Sequence, residues 1–119
     1  MKQITAVVQP FVAERVLREL SHAPLEACLV REVKGFGRQK NYLEEYRGGE
    51  YEAAFLPKVQ IDLWVDDYRL EETLRLIVTH ARTGRMGAGK IFVVDCAEGE
   101  PTPGLFSAGT EIDIDSADI

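Results

Sequence analysis

The chain has 119 residues, of which 45% are hydrophobic and 29% are charged, and its net charge at pH 7 is −6. This composition is that of one folded domain and excludes a disordered chain. The acidic balance argues against a nucleic-acid partner, because such binding needs clustered cations, and no apolar run approaches the ~20 residues of a membrane span. Two cysteines, Cys28 and Cys96, without metal-like or disulfide-like spacing, fit a cytoplasmic protein.

The first half of the chain predicts a strand, a helix and a second strand. Residues 2–8 are apolar and β-branched, and Pro10 marks the exit of this strand. From Val12 to Ser21 apolar residues recur at helical spacing, and residues 25–34 alternate loosely, as in a strand. A polar, glycine-rich stretch with three tyrosines follows. It is longer than the usual connections of compact domains, so it is either functional or disordered.

The second half again predicts a strand, a helix and a strand. Residues 56–65 alternate between apolar and polar, and Asp67 is a candidate cap for a helix from Tyr68 to about Ala81. A glycine-rich run then leads into the apolar strand IFVVDCA. The order β-α-β-loop-β-α-β is that of a ferredoxin-like α+β domain. Because both helices cover one face of such a sheet, we expect oligomerisation to bury the other face, near Trp64.

These elements divide the chain into one domain and a tail. The domain spans residues 1–97 and includes the long loop, residues 37–55, between its second and third strands. Residues 98–119 form a C-terminal loop and tail, which we expect to pack on the same domain. Within the tail, Ile112 and Ile114 alternate with acidic residues and predict a short strand.

The run TGRMGAGK, residues 83–90, is the first candidate for a binding site. Glycine lets backbone N–H groups approach a ligand closely, and successive amides form a nest for anions such as phosphate. Arg85 and Lys90 add positive charge. The run is not a P-loop, because Lys90 opens a strand and not a helix. A plain glycine turn is the alternative interpretation.

No side chains form a recognisable catalytic set. His22 and His80 are both predicted near helix C-termini, where a histidine most often interacts with a carbonyl. We therefore predict a binding module and not an enzyme. A small phosphohydrolase, with Arg38 and the glycine-rich run gripping phosphate, is a minor alternative because it lacks an obvious base or nucleophile. A structural adaptor with a decayed site is another.

Four stretches resemble the PII signal transduction proteins: KGFGRQK (34–40), YRGGEY (46–51), FLPK (55–58) and TGRMGAGKIFV (83–93). The order of strands and helices fits that family over residues 1–97. The resemblance implies a homotrimer with nucleotide sites in the clefts between subunits. It also implies that the long loop, called the T-loop in that family, docks on a transporter or a metabolic enzyme. A chain without a membrane span could thus be recruited to a membrane transporter.

The resemblance also assigns roles to individual residues. Tyr51 stands where many bacterial members are uridylylated, and Tyr46 and Arg47 lie beside it on the part of the loop that docks on partners. Gln39 would help to hold the effector, and magnesium if ATP binds with it, while Lys58 would pair with the effector's carboxylate. The expected nucleotide-binding residues are Gly35, Gly37, Arg38, Gln39, Thr83, Gly84, Gly87, Gly89 and Lys90.

One departure from the family bears on the choice of ligand. Members that respond to ATP normally carry two arginines just after the fourth strand, whereas this chain has Pro101-Thr102-Pro103 there. Each lost charge-assisted hydrogen bond is worth roughly 1.5–3 kcal/mol, which favours ADP or AMP over ATP. Some PII-like branches with this preference serve inorganic-carbon uptake and bind bicarbonate, and we favour that function. The alternative is a nitrogen-regulatory PII protein that senses ATP and 2-oxoglutarate.

Four further positions also depart from the family. Leu29 stands where a threonine is usual, Gly49 where alanine or serine is usual, Ala88 where aspartate or tyrosine is usual, and Gln9 where lysine is common before Pro10. Together with the prolines of the tail, they indicate a divergent PII-like branch.

Overall fold

Five strands and two helices make up the part of the chain that the computed structural model describes, residues 1–35, 56–96 and 109–118. A short 3₁₀ turn, Asp67–Arg69, precedes the second helix. This order confirms the predicted ferredoxin-like α+β class. The elements in chain order are β1 (Lys2–Val8), α1 (Pro10–Leu20), β2 (Ala27–Gly35), β3 (Leu56–Val65), α2 (Leu70–Ala81), β4 (Gly89–Asp95) and β5 (Thr110–Asp113).

Two residues at the predicted boundaries have other roles. Pro10 lies inside α1, at its first position, where the missing N–H would have no partner and the fixed φ suits a helix. Asp67 does not cap α2. Its carboxylate lies 2.8 Å from the N-terminal ammonium of Met1, and Asp67 itself begins the 3₁₀ turn that precedes the helix.

The strands form one antiparallel sheet in the order β2-β3-β1-β4-β5. β1 lies in the centre, and its last residue, Val8, pairs with Val59 on β3 and with Gly89 on β4. The short strand expected from the alternation of Ile112 and Ile114 is present as β5, which pairs with β4 at the edge of the sheet. The tail therefore adds a fifth strand to the four-stranded ferredoxin-like arrangement.

The helices pack against each other and cover one face of the sheet, where the apolar core lies. Arg15 on α1 donates to the His80 carbonyl of α2 at 2.9 Å and links the two helices. At 11 and 12 residues, neither helix of the described ranges is long and apolar enough to cross a membrane. Fully buried core residues from five of the elements include Ile4, Val8, Val12, Val16, Leu20, Ile61, Leu63, Val65, Ile77, Val78 and Ile91, and the tail adds Ile114.

The opposite face of the sheet combines a buried acid with exposed apolar side chains. Asp62 is 5% exposed and accepts hydrogen bonds from the Thr5 hydroxyl at 2.7 Å and the Arg31 guanidinium at 3.0 Å. In the same cross-strand row, Leu29 and Phe92 are 55% and 40% exposed. This face is therefore polar at its centre and apolar on both sides.

Gly89 marks a close approach between the backbones of β4 and β1. Its φ is +137°, and a Cβ atom built there would lie 2.0 Å from the Val7 carbonyl oxygen. Because that oxygen belongs to the backbone of the central strand, it cannot move aside as a side chain could. Only glycine fits at the start of β4 without displacing one of the two strands.

We expect Gly89→Ala to lower the free energy of unfolding by about 3 kcal/mol or more, because backbone strain and steric overlap add. Gly84→Ala is the matched control. Its φ is +81°, but a Cβ there meets nothing within 4 Å, so we expect a loss of only about 1 kcal/mol from strain. Urea unfolding of the three proteins measures both values, and equal losses in the two variants would contradict the steric argument.

Candidate anion-binding site

Four strands meet at one end of the sheet. β2 ends at Gly35, which pairs with Leu56 at the start of β3, and β1 ends at Val8, which pairs with Gly89 at the start of β4. Residues 83–89, here called the glycine loop, connect α2 to this end of β4. The sheet therefore brings the base of the predicted T-loop to the same end as the glycine loop.

Local hydrogen bonds fix the conformation of the glycine loop. Gly84 and Gly87 have φ values of 81° and 90°, a region that favours glycine. The Thr83 hydroxyl accepts a hydrogen bond from the Arg85 N–H at 3.2 Å. The Gln9 side-chain amide donates to the Gly87 carbonyl at 2.6 Å and ties the loop to the end of β1.

The glycine loop binds an anionic group, the side-chain carboxylate of Asp115 in the tail. The Gly87 N–H donates to Oδ2 of this carboxylate at 2.8 Å. The Ala88 N–H donates to Oδ2 at 3.1 Å and to Oδ1 at 3.3 Å. Two successive amides that converge on one carboxylate form an anion nest. The glycine loop therefore holds an anionic side chain of the protein itself.

Two lysines accompany the nest, and each has an acid of the tail nearby. The Lys90 ammonium lies 3.0 Å from a carboxylate oxygen of Glu111. Lys58, on β3, is only 6% exposed. Burial lowers the pKa of the Lys58 ammonium, and the nearby charge of Asp115 partly opposes that shift. Positive charge and backbone donors are thus concentrated at this end of the sheet.

The tail that carries Asp115 is firmly attached to the domain. Ile114 is fully buried, and its N–H donates to the Gly89 carbonyl at 3.0 Å. The Arg82 guanidinium donates to the Ile114 carbonyl at 3.2 Å and to the Ala117 carbonyl at 2.6 Å. The Asp115 N–H donates to the Asp113 carboxylate at 3.0 Å. These contacts aim the Asp115 side chain at the nest.

The structure describes seven of the residues predicted for the site. Gly35 ends β2, Lys58 lies near the start of β3, and the remaining five belong to the glycine loop or the first residues of β4: Thr83, Gly84, Gly87, Gly89 and Lys90. Gly37, Arg38, Gln39, Tyr46, Arg47 and Tyr51 lie outside the described residues, as do Pro101, Thr102 and Pro103. The binding roles of all of them stay predictions.

Three residues at the site were not predicted from the sequence as parts of it. Asp115 belongs to the alternation of apolar and acidic residues in the tail, but that alternation predicts only a strand and not a contact with the glycine loop. Gln9 stood out as a departure from the family without an assigned contact. For Arg82 the sequence gives no signal, because its partners are backbone carbonyls 32 and 35 residues further along the chain.

The described residues offer no site for a metal made of protein side chains alone. Within residues 1–35, 56–96 and 109–118, no three His, Cys, Asp or Glu side chains are placed to hold an ion.

Nδ1 of His80 lies 2.9 Å from the Leu76 carbonyl, which is the kind of contact expected for a histidine near a helix C-terminus.

A ferredoxin-like fold with an anion nest at the start of its last core strand defines a class of small binding domains. Comparison with known proteins then gives the family: the family model described as Nitrogen regulatory protein P-II matches residues 1–100. The chain belongs to this family of regulatory proteins, which agrees with the prediction of a signalling protein and not an enzyme.

Individual relatives cover most of the chain. It is 46% identical over 95 residues to Nitrogen regulatory protein GlnK of Escherichia coli K12, a match that covers 80% of this chain and 85% of the relative. It is 47% identical over 93 residues to Nitrogen regulatory protein P-II of Rhodospirillum rubrum, covering 78% and 83% of the two chains. The corresponding protein of Mesorhizobium japonicum is 46% identical over 98 residues, covering 82% and 88%.

Lys58 gives the stability of the domain a pH dependence of defined sign. Because its pKa in the folded chain lies below the usual value of 10.5, the unfolded chain binds more protons between those two pKa values, and stability rises with pH across that window. We expect the free energy of unfolding of the wild type to increase relative to that of Lys58→Met as the pH rises towards the usual lysine pKa of 10.5. Urea titrations of both proteins test this, and a difference that stays constant or shrinks would contradict it.

Proposed function

We propose that this chain is a nitrogen-regulatory PII signalling protein that binds an adenine nucleotide with its phosphates on the glycine loop. The observation that supports the proposal is that two successive amides, those of Gly87 and Ala88, hold a carboxylate. A phosphate oxygen accepts hydrogen bonds from backbone amides as a carboxylate oxygen does. The names of the relatives, nitrogen regulatory proteins, support nitrogen control over the inorganic-carbon control that the sequence favoured.

For the remaining residues of the site we propose the roles that the resemblance to the PII family implies. Lys90 supplies an ammonium to the phosphates beside the nest, and Thr83 and Gly84 shape the loop around the nucleotide. Gly35 lies at the base of the T-loop. We propose that Gly37, Arg38 and Gln39 also bind the phosphates, and that Gln39 holds magnesium when the nucleotide is ATP.

Lys58 is the proposed partner of an anionic effector, together with Gln39. Its burial favours a ligand that brings its own negative charge, because an opposite charge restores the stability of the buried ammonium. We propose 2-oxoglutarate as this effector. The ligand changes the T-loop only by its differential affinity for the states of that loop.

Assembly and docking complete the proposed mechanism. We propose a homotrimer, with the sheet face that carries Leu29 and Phe92 covered by neighbouring subunits. The T-loop, with Tyr46, Arg47 and Tyr51, then docks on a transporter or a metabolic enzyme, and uridylylation of Tyr51 would block that docking.

A second candidate function rests on Pro101-Thr102-Pro103, which replaces the two arginines of ATP-responsive relatives. This replacement favours ADP or AMP over ATP, and it is the observation behind inorganic-carbon control with bicarbonate as the effector. The two candidates share the nucleotide site and differ in nucleotide preference and effector.

Isothermal titration calorimetry with ATP, ADP and AMP, alone and with 2-oxoglutarate or bicarbonate, separates the candidates. We expect adenine nucleotide binding that 2-oxoglutarate strengthens. Preference for ADP or AMP with a response to bicarbonate alone would instead support carbon control. Absence of binding by all three nucleotides would contradict both candidates.

We expect Lys90→Ala to weaken ADP binding about tenfold, the value of one charge-assisted hydrogen bond. Lys2→Ala is the matched control, because Lys2 is also a strand lysine paired with an acid, Asp95, but lies at the opposite end of the sheet. Calorimetry of the two variants beside the wild type measures the effect. Equal affinity in Lys90→Ala and Lys2→Ala would remove Lys90 from the site.

A further inference from the structure

The tail occupies the atoms that a phosphate ligand needs. Both nest amides, at Gly87 and Ala88, already donate to the carboxylate of Asp115, at 2.8 and 3.1 Å. An N–H group that donates to this carboxylate is not available to a second acceptor at full strength. A phosphate therefore reaches the nest only when the Asp115 side chain leaves it.

The charges of the tail oppose the same ligand. Glu111 lies 3.0 Å from the Lys90 ammonium, and the charge of Asp115 acts on Lys58. Two acids of the tail thus offset the two cations next to the nest. A phosphate that approaches while both acids are in place meets repulsion as well as occupied donors.

Because other contacts anchor the tail, a phosphate can replace the Asp115 carboxylate without movement of the tail backbone. β5 pairs with β4, Ile114 is fully buried, and Arg82 holds the carbonyls of Ile114 and Ala117. None of these contacts uses the Asp115 carboxylate. Rotation of this one side chain therefore frees the nest while the backbone of the tail stays on the domain.

We infer that Asp115 is an internal competitor of the nucleotide, a carboxylate that holds the Gly87 and Ala88 amides until a phosphate group displaces it. The inference rests on the proposed function, because it assumes that the phosphates bind at this nest. The apparent association constant of the site is then the intrinsic constant multiplied by the fraction of molecules in which Asp115 does not occupy the nest. The tail thus sets the nucleotide concentration at which the protein responds.

Removal of the competitor tests the inference. We expect Asp115→Ala to bind ADP about tenfold more tightly than the wild type, since the ligand no longer has to replace a charge-assisted hydrogen bond. Asp115→Asn, which keeps the size of the side chain and an acceptor oxygen but loses the charge, should show a smaller gain in the same direction. If Asp115→Ala does not fold, the ADP affinity of Asp115→Asn tests the inference. Asp118→Ala, which removes the same charge from an exposed position of the tail, should bind ADP like the wild type.

A second readout follows the displacement directly. In ¹⁵N-edited NMR spectra, the Asp115→Asn substitution should shift the amide signals of Gly87 and Ala88. Addition of ADP to the wild type should shift those signals together with those of Asp115 and Ser116. A shift confined to Gly87 and Ala88, with the tail signals unchanged, would overturn the displacement.

The outcomes separate the inference from the function on which it rests. Binding of ADP by the wild type, with equal or weaker binding by both Asp115 variants, overturns the competition and leaves the nucleotide site in place. A gain that Asp118→Ala shares also overturns it, because the effect is then one of overall charge. Absence of ADP binding by the wild type and all three variants overturns the nucleotide site and the competition with it.

Discussion

The close approach of Gly89 to the Val7 carbonyl is the constraint on which the arrangement of the site depends. Because no Cβ fits between these two backbones, β4 can lie directly against the end of the central strand, and the glycine loop arrives beside it. Gln9, the next residue after β1, then reaches the Gly87 carbonyl. Tight backbone packing at the start of a strand thus positions the two amides of the glycine loop that hold Asp115.

Two neighbouring residues of the tail contribute to the fold and to the anion nest, respectively. Ile114 contributes to the core, while Asp115 satisfies the amides of the nest. These hydrogen bonds are partly buried, where an amide that loses its acceptor is destabilising. In this chain an acid of the protein itself supplies the acceptor.

Local patterns predicted the fold well, because most of its elements have a clear period. The alternation of Val59, Ile61 and Leu63 identified β3 with its observed bounds. Motifs shared with the PII family assigned the glycine loop and Lys58 to one predicted binding site. The contacts of the tail could not be predicted in the same way. They join Asp115 and Arg82 to backbone groups far away in the sequence, and such contacts depend on which strand β5 pairs with, a property that no local period encodes.

The burial of Ile114 beside Asp115 has a consequence for how the site responds to dilution. A free anion competes in proportion to its concentration, but a tethered carboxylate has an effective concentration fixed by its anchor. The threshold that Asp115 imposes is therefore the same at any protein concentration. It is a constant of the chain, and substitutions in the tail could shift it without any change in the residues that contact the ligand.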